Sequence, residues 1–149
     1  ESSAASDVYK RQYHGWWLAA GTGTTLAGLV IGEGGRRIVH GALAVPPDHG
    51  VPEQVRALLA EAGREDGGYQ LLDACRGGFA RQDAELLAFM AQCEGQSGLP
   101  LEPLYTAKAL LALRDAIGRG DVEAGRRLIF LHTGGLQGRR ASLGTDSVR

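Results

Sequence analysis

The sequence predicts an α/β fold, an open and mostly parallel sheet flanked by helices. Short apolar segments alternate along the chain with longer segments of helical periodicity, which is the order of βαβ units. The apolar segments are typical of buried strands, so helices should cover both faces of the sheet. Two of these segments run directly into loops of small residues, which open at Gly21 and at His132.

The elements follow one another from residue 13 onward. Strands are predicted at Trp16 to Ala20, Arg37 to Val45, Tyr69 to Leu72 and Leu128 to Leu131. Helices are predicted at Thr24 to Glu33, Pro52 to Ala62, Gln82 to Cys93 and Pro103 to Ile117. Pro52 and Pro103 suit the first turn of a helix, where the missing N–H costs nothing. Glycines and a proline end the last two helices.

Composition excludes several classes of function. With 149 residues and a net charge of −1, the chain has the size of one domain and no electrostatic case for binding nucleic acid or an acidic membrane. It contains no apolar run long enough to span a bilayer. The two cysteines and four histidines show no ligand spacing, so no metal site is predicted. Reduced cysteines favour a cytoplasmic protein.

Two terminal segments are predicted to lie outside the fold. Residues 1–12 are polar and aperiodic, and the stretch from Ser2 to Gln12 resembles a translated library adapter, so this tail is predicted to be non-native or disordered. Residues 139–149 have no core pattern and are predicted to fray. The folded part is therefore expected to span residues 13–138, and the natural chain is expected to continue upstream.

The segment Gly21 to Thr25 has the composition of an anion-binding loop. It stands between a predicted strand and a predicted helix, whose first N–H groups and partial positive charge attract an anion. It has no lysine for a P-loop, and Leu26 replaces the third glycine of a dinucleotide loop. A single phosphate held by backbone and hydroxyl groups fits better than a nucleotide. An ordinary βα turn without a ligand is the alternative.

The loops at Gly21 and His132 follow two strands of the predicted parallel sheet. The carboxyl ends of parallel strands meet at one edge, where α/β proteins bind their ligands. We therefore expect both loops to share one ligand.

Four segments in register resemble the C-terminal half of the pyridoxal-phosphate-dependent D-cysteine desulfhydrase and 1-aminocyclopropane-1-carboxylate (ACC) deaminase family. They are Gly21 to Thr25, Gly77 to Ala80, Leu99 to Lys108 and Leu131 to Gly138. The resemblance implies a fold-type-II lyase of amino-acid metabolism that forms homodimers. The chain would then be part of the large domain of a tryptophan-synthase-β-like fold.

The resemblance also implies roles for individual residues. The phosphate of pyridoxal 5′-phosphate would be cradled by Gly21, Thr22, Gly23, Thr24 and Thr25. Thr133 would stand near the pyridine nitrogen, and Gly134 would also bind the cofactor. Tyr105 would be the catalytic residue over cofactor and substrate, and Phe79 and Thr106 would contact the substrate. His132 is expected to have a supporting role at most.

Two departures from the family pattern bear on the substrate. Ring-opening deaminases carry a tyrosine where Phe79 stands and a glutamate where Thr106 stands, so the resemblance favours β-elimination from D-cysteine to pyruvate, ammonia and sulfide. The chain has only Lys10 and Lys108. Lys108 is expected to be a solvated surface residue. The lysine that holds the cofactor is expected in the upstream half, and this chain alone is expected to be inactive.

Two alternatives remain open on the sequence alone. One is a non-catalytic phosphate-binding α/β domain, which would need only the glycine-threonine loop and would leave Tyr105 buried and inert. The other is a different fold-type-II enzyme, such as a relative of cysteine synthase.

Overall fold

The computed structural model describes residues 12–78 and 80–133. Its strands are β1 (Gly15–Ala20), β2 (Ile38–Leu43), β3 (Tyr69–Asp73) and β4 (Leu128–Leu131). Its helices are α1 (Thr24–Glu33), α2 (Val51–Glu61), α3 (Ala84–Ser97) and α4 (Thr106–Gly118), and a short 3₁₀ turn at Pro47–His49 precedes α2. The predicted tails lie outside these residues except for Gln12.

The strands form one parallel sheet in the order β3-β2-β1-β4. Ala20 pairs with Leu43 on one side of β1, and Leu18 pairs with Leu131 on the other side. The predicted α/β fold is therefore confirmed. Since β1 and β4 run parallel as neighbours, the loops that follow them leave the sheet at the same edge.

The chain reverses direction across the sheet after β3. It steps outward from β1 to β2 to β3 and then returns to place β4 on the far side of β1. Right-handed crossovers then put α1 and α2 on one face and α3 and α4 on the other. Packing agrees, because Leu18 and Ala20 contact the α1 and α2 core, whereas Trp17 and Ala19 contact α4.

Trp17 connects the central strand β1 to α4 by packing and by a hydrogen bond. Its side chain is fully buried, and its indole N–H donates to the carbonyl oxygen of Ala109 at 2.7 Å. The indole also stacks on the ring of His40, with ring centroids 5.2 Å apart. Burial of a tryptophan that also satisfies its one donor makes this contact a main source of stability. Helix α3 packs on the outer side of α4 through Leu86 and Phe89.

Two helices begin two and three residues later than predicted, and capping carboxylates explain both shifts. The structure begins α3 at Ala84 because the Asp83 side chain accepts a hydrogen bond from the N–H of Leu86. It begins α4 at Thr106, three residues after Pro103, because the Glu102 carboxylate binds the N–H groups of the preceding turn.

The end of the sheet opposite the loops is held together by a buried carboxylate. Glu33, the last residue of α1, accepts hydrogen bonds from the Tyr13 hydroxyl and, at 2.7 Å, from the Trp16 indole N–H. Arg37 forms an ion pair with Glu33 at 3.4 Å and lies 4.3 Å from the centre of the Tyr13 ring. Burial alone would raise the pKa of Glu33, but these donors outweigh it and hold the pKa below its ordinary value.

We expect Glu33→Gln to lower the free energy of unfolding by about 1–3 kcal/mol at pH 7, because a charged acceptor shared by three donors is lost. A lowered native pKa means that this contribution is present above the ordinary glutamate pKa of about 4.3 and is lost as the pH falls through the native value. Urea unfolding at pH 7 and pH 3 measures both effects.

The exposed Glu61, at the end of α2, gives the matched control Glu61→Gln. This control should differ from the unmodified protein by less than about 0.5 kcal/mol. A Glu33→Gln deficit of the same size at pH 3 and pH 7 would contradict the assigned role of the ionised carboxylate.

Candidate cofactor site

Open α/β sheets have a crevice outside the carboxyl ends of the strands where the strand order reverses, and in this sheet that position lies between β1 and β4. The chain leaves β1 toward β2 and reaches β4 from β3, so the connections on either side of this point go to opposite faces. Such a switch point is where open α/β sheets bind ligands. Gly21 follows β1 here, and His132 and Thr133 follow β4.

The glycine-threonine loop depends on a glycine at position 23. Gly23 precedes α1 with a φ of 89°, which side chains rarely adopt. A Cβ at this position would also lie 2.7 Å from Cγ2 of Val55 and 3.3 Å from Cγ1 of Val51. Backbone conformation and close packing against α2 therefore both require glycine.

The start of α1 offers backbone donors to an anion. The first bond within the helix runs from the N–H of Ala27 to the carbonyl oxygen of Gly23 at 2.9 Å, so the N–H groups of residues 24–26 precede it. Within the described residues, Gly23 has no side-chain cap and the first turn has no acid, while the N–H of Thr24 lies 3.5 Å from the Thr22 hydroxyl, which can accept from it. Thr22, Thr24 and Thr25 are exposed. The hydroxyls of Thr22 and Thr24 lie 3.3 Å apart.

The structure brings the aromatic ring of Tyr105 against this loop. A Cβ at Gly21 would lie 3.0 Å from Cε1 of Tyr105 and 3.7 Å from its hydroxyl oxygen. A side chain at position 21 would push the ring of Tyr105 outward by a few tenths of an ångström, so glycine favours this close approach. Two predicted site residues from distant parts of the chain are thus neighbours, and the ring forms one wall beside the phosphate loop.

Glu102 places Tyr105, although it was not among the site residues predicted from the sequence. Its carboxylate is 1% exposed and accepts hydrogen bonds from the N–H groups of Leu104, Tyr105 and Thr106 at 2.7, 2.7 and 2.6 Å. A carboxylate at the positive end of a helix is favourable, and three donors offset its burial. An acid a few residues before a predicted helix is the signal that could have identified it.

Thr106 closes the same turn. It is 1% exposed, and its hydroxyl accepts from the N–H of Glu102 at 2.9 Å while lying 3.3 Å from the carbonyl oxygen of Glu102. The contacts seen for Thr106 therefore serve the start of α4. A direct contact of Thr106 with substrate stays a prediction.

His132 joins the end of β4 to the segment that leads into α4. Its Nε2 lies 2.7 Å from the carbonyl oxygen of Pro100. Because a carbonyl only accepts, Nε2 carries the proton in this contact. His132 thus supports the crevice wall that ends in Tyr105. Thr133 is exposed just beyond it, whereas the predicted site residues Phe79 and Gly134 lie outside the described residues.

The prediction for Lys108 was wrong. Its side chain is 1% exposed, and Nζ donates to the carbonyl oxygens of Cys75 and Gly78 at 2.9 and 3.0 Å. Burial lowers the pKa of Lys108 from its ordinary value. A single polar residue within a helical pattern is ordinarily solvated. Here the carbonyl groups of a loop distant in sequence replace water.

The described part of the chain contains no helix long and apolar enough to cross a membrane. It likewise contains no cluster of three or more histidine, cysteine or acidic residues that could hold a metal ion.

Comparison with known proteins identifies related enzymes, although no family model matches the chain. The bifunctional D-cysteine desulfhydrase/ACC deaminase of Arabidopsis thaliana, which is mitochondrial, is 31% identical over 129 residues, 81% of this chain and 32% of that protein. A putative ACC deaminase of Pyrococcus horikoshii is also 31% identical over 129 residues, 39% of its length. The chain is a relative of the D-cysteine desulfhydrase/ACC deaminase family. The resemblance inferred from the motifs is thereby confirmed.

A solved structure supports the fold of this desulfhydrase/deaminase relative. The crystal structure of an ACC deaminase homologue matches 88% of the chain with a TM-score of 0.74 and 24% identity, and the match covers 43% of that protein. The chain therefore spans about a third to two fifths of the length of the curated relatives it matches.

Two glycines in the same region give a matched test of the loop geometry. Gly23→Ala should lower the free energy of unfolding by about 1–3 kcal/mol, because it combines a positive φ with a 2.7 Å contact. Gly28 lies exposed within α1, and a Cβ there would meet nothing within 4 Å. Gly28→Ala should raise the free energy of unfolding by about 0.5–1 kcal/mol. Urea unfolding measures both, and equal effects of the two variants would refute the assigned loop conformation.

Proposed function

We propose that this chain supplies the phosphate-binding and substrate-facing portion of a pyridoxal-phosphate-dependent lyase that acts on a small amino acid. The observation that carries the proposal is the contact of Tyr105 with Gly21 at the switch point of the sheet. It brings an aromatic side chain against the loop that is proposed to bind the phosphate. The relationship to desulfhydrases and deaminases supports the same reaction class.

The residues present fit the cofactor phosphate. The start of α1 provides N–H groups and a partial positive charge, and exposed threonine hydroxyls add donors. The pyridine ring of pyridoxal phosphate supplies an electron sink for carbanion chemistry. In this chain, Gly21 to Thr25 would bind the phosphate, Thr133 and Gly134 would lie beside the ring, and Tyr105 would cover it.

The preferred reaction is β-elimination from D-cysteine, with pyruvate, ammonia and sulfide as products. Phe79 has no hydroxyl to hydrogen-bond a substrate, and Thr106 has no carboxylate. The nearby carboxylate of Glu102 is buried and committed to three backbone N–H groups. These features weigh against the opening of a cyclopropane ring. Phe79 and Thr106 are proposed to contact the substrate next to Tyr105.

The lysine that anchors the cofactor is proposed to come from outside this chain. Lys108 is buried and bound to two carbonyl groups, and Lys10 belongs to the predicted tail. The homodimer of the complete protein is likewise a proposal. Cytoplasmic location also stays a prediction, since the Arabidopsis relative is named as mitochondrial.

The phosphate site can be tested with two variants of one residue. Thr24→Asp should weaken binding of pyridoxal phosphate at least about tenfold, because a carboxylate at the start of α1 repels the phosphate. It should not unfold the chain, since an acid stabilises the first turn of a helix. Titrations followed by ³¹P NMR measure the affinity.

The matched control is Thr24→Asn, which has the same shape without the charge and should retain binding within about threefold. The affinity for pyridoxal, which has no phosphate, should be the same in both variants as in the unmodified chain. Equal affinities of the Asp and Asn variants for pyridoxal phosphate would overturn the assignment. Binding of inorganic phosphate as tight as that of pyridoxal phosphate would instead favour a non-catalytic phosphate-binding domain.

The missing anchor has its own test. Incubation of the purified chain with pyridoxal phosphate, followed by borohydride reduction, should leave no stoichiometric adduct on Lys108, because its ammonium is buried and hydrogen-bonded. Mass spectrometry of tryptic peptides locates any adduct. A stoichiometric adduct on Lys108 would show that the chain carries its own anchor.

A further inference from the structure

The loop between β3 and α3, residues 74–83, has a backbone that needs outside support. Arg76 and Ala80 adopt φ values of 54° and 65°, and the intervening Gly77 has a φ of 86°. A residue with a side chain loses about 1–3 kcal/mol in this conformation. Two such residues within five positions persist only where surrounding contacts determine the backbone.

Arg76 holds this loop from the α3 side. Its guanidinium donates to both carboxylate oxygens of Asp83, at 2.7 and 3.2 Å, and to Glu85 at 2.8 Å. Asp83 is also the residue that caps α3. The pair is bidentate, which restricts orientation as well as distance.

Lys108 holds the loop from the α4 side. Its ammonium donates to the carbonyl oxygens of Cys75 and Gly78, which lie on either side of the strained Arg76 and Gly77. A cavity of about 230 Å³ beside Lys108 also has Asp73 and Asp115 in its wall. None of the described ion pairs involves Lys108, so its charge goes to the loop carbonyls rather than to these carboxylates.

Lys108 and Tyr105 both lie at the start of α4. Tyr105 precedes the helix and contacts Gly21, and Lys108 follows three residues later. The Glu102 carboxylate accepts hydrogen bonds from the N–H groups of Tyr105 and Thr106 at the start of this helix. The β3–α3 loop, which contains Phe79, is therefore tied through one buried ammonium to the element that forms the wall of the crevice.

We propose that Lys108 is a positioning residue that sets the β3–α3 loop against the amino-acid end of the bound cofactor. This inference rests on the proposed function of the crevice. Lys108 acts through the loop backbone and does not itself touch the cofactor. Its removal should therefore weaken recognition of the amino-acid part of a ligand and spare recognition of the phosphate part.

Two stable probes separate these parts. Pyridoxamine 5′-phosphate carries the cofactor alone, and phosphopyridoxyl-D-alanine carries cofactor and amino acid joined by a reduced bond, so neither needs an anchoring lysine. Lys108→Met should bind phosphopyridoxyl-D-alanine about tenfold more weakly and pyridoxamine phosphate within about twofold of the unmodified chain. Lys108→Arg, which keeps the charge, should recover at least half of the lost affinity on the logarithmic scale.

Arg119→Met is the matched control, because Arg119 is exposed in the wall of the same cavity and pairs with Asp121 instead of the loop. It should leave both affinities unchanged. If Lys108→Met fails to fold by circular dichroism, Arg76→Gln provides the second test, since it releases the loop at a partly exposed ion pair. It should show the same selective loss.

Equal loss of both probes in folded Lys108→Met, or no loss of either, would overturn the positioning role. Failure of the unmodified chain to bind either probe would overturn the proposed function itself. A selective loss with recovery by Lys108→Arg is the result that the structure predicts.

Discussion

Parallel pairing of β1 with β2 on one side and β4 on the other is the constraint on which the rest of the structure depends. It places the reversal of chain direction beside β1 and sends the connections to opposite faces of the sheet. The buried Trp17 secures this arrangement, because its indole joins the central strand to α4 through Ala109. The crevice at the end of β1 follows directly from the pairing.

The start of α4 determines where two residues near the candidate site lie. One buried carboxylate, that of Glu102, binds three N–H groups and so determines where the helix starts. Tyr105 then reaches Gly21, and Lys108 reaches the loop after β3. An acid that the family pattern would assign to substrate chemistry is absent at Thr106. The carboxylate four residues earlier, that of Glu102, accepts hydrogen bonds from backbone N–H groups two to four residues ahead of it.

The proposed phosphate loop has no charged side chain of its own, and its surroundings show what replaces one. The N–H groups at the start of α1 would provide the attraction, and glycine at position 23 permits the turn and the close packing on Val55. The nearby cationic side chains of Arg76 and Lys108 form hydrogen bonds that hold the strained β3–α3 loop in place. Charged side chains therefore hold the geometry of this region, whereas binding of the phosphate is proposed to rest on backbone N–H groups.

The sequence by itself determined the α/β class, the bounds of α1 and β4 and the position of the glycine-threonine loop, because hydrophobic period and glycine-threonine spacing are local properties. The family came from the resemblance of four segments in register. Only the tertiary structure decided that Tyr105 contacts Gly21, that Glu102 caps α4 and that Lys108 is buried. The contacts of Tyr105 and Lys108 join residues far apart in the chain. A lysine in a helical pattern is expected to be solvated until a distant loop supplies the carbonyl groups that replace its water.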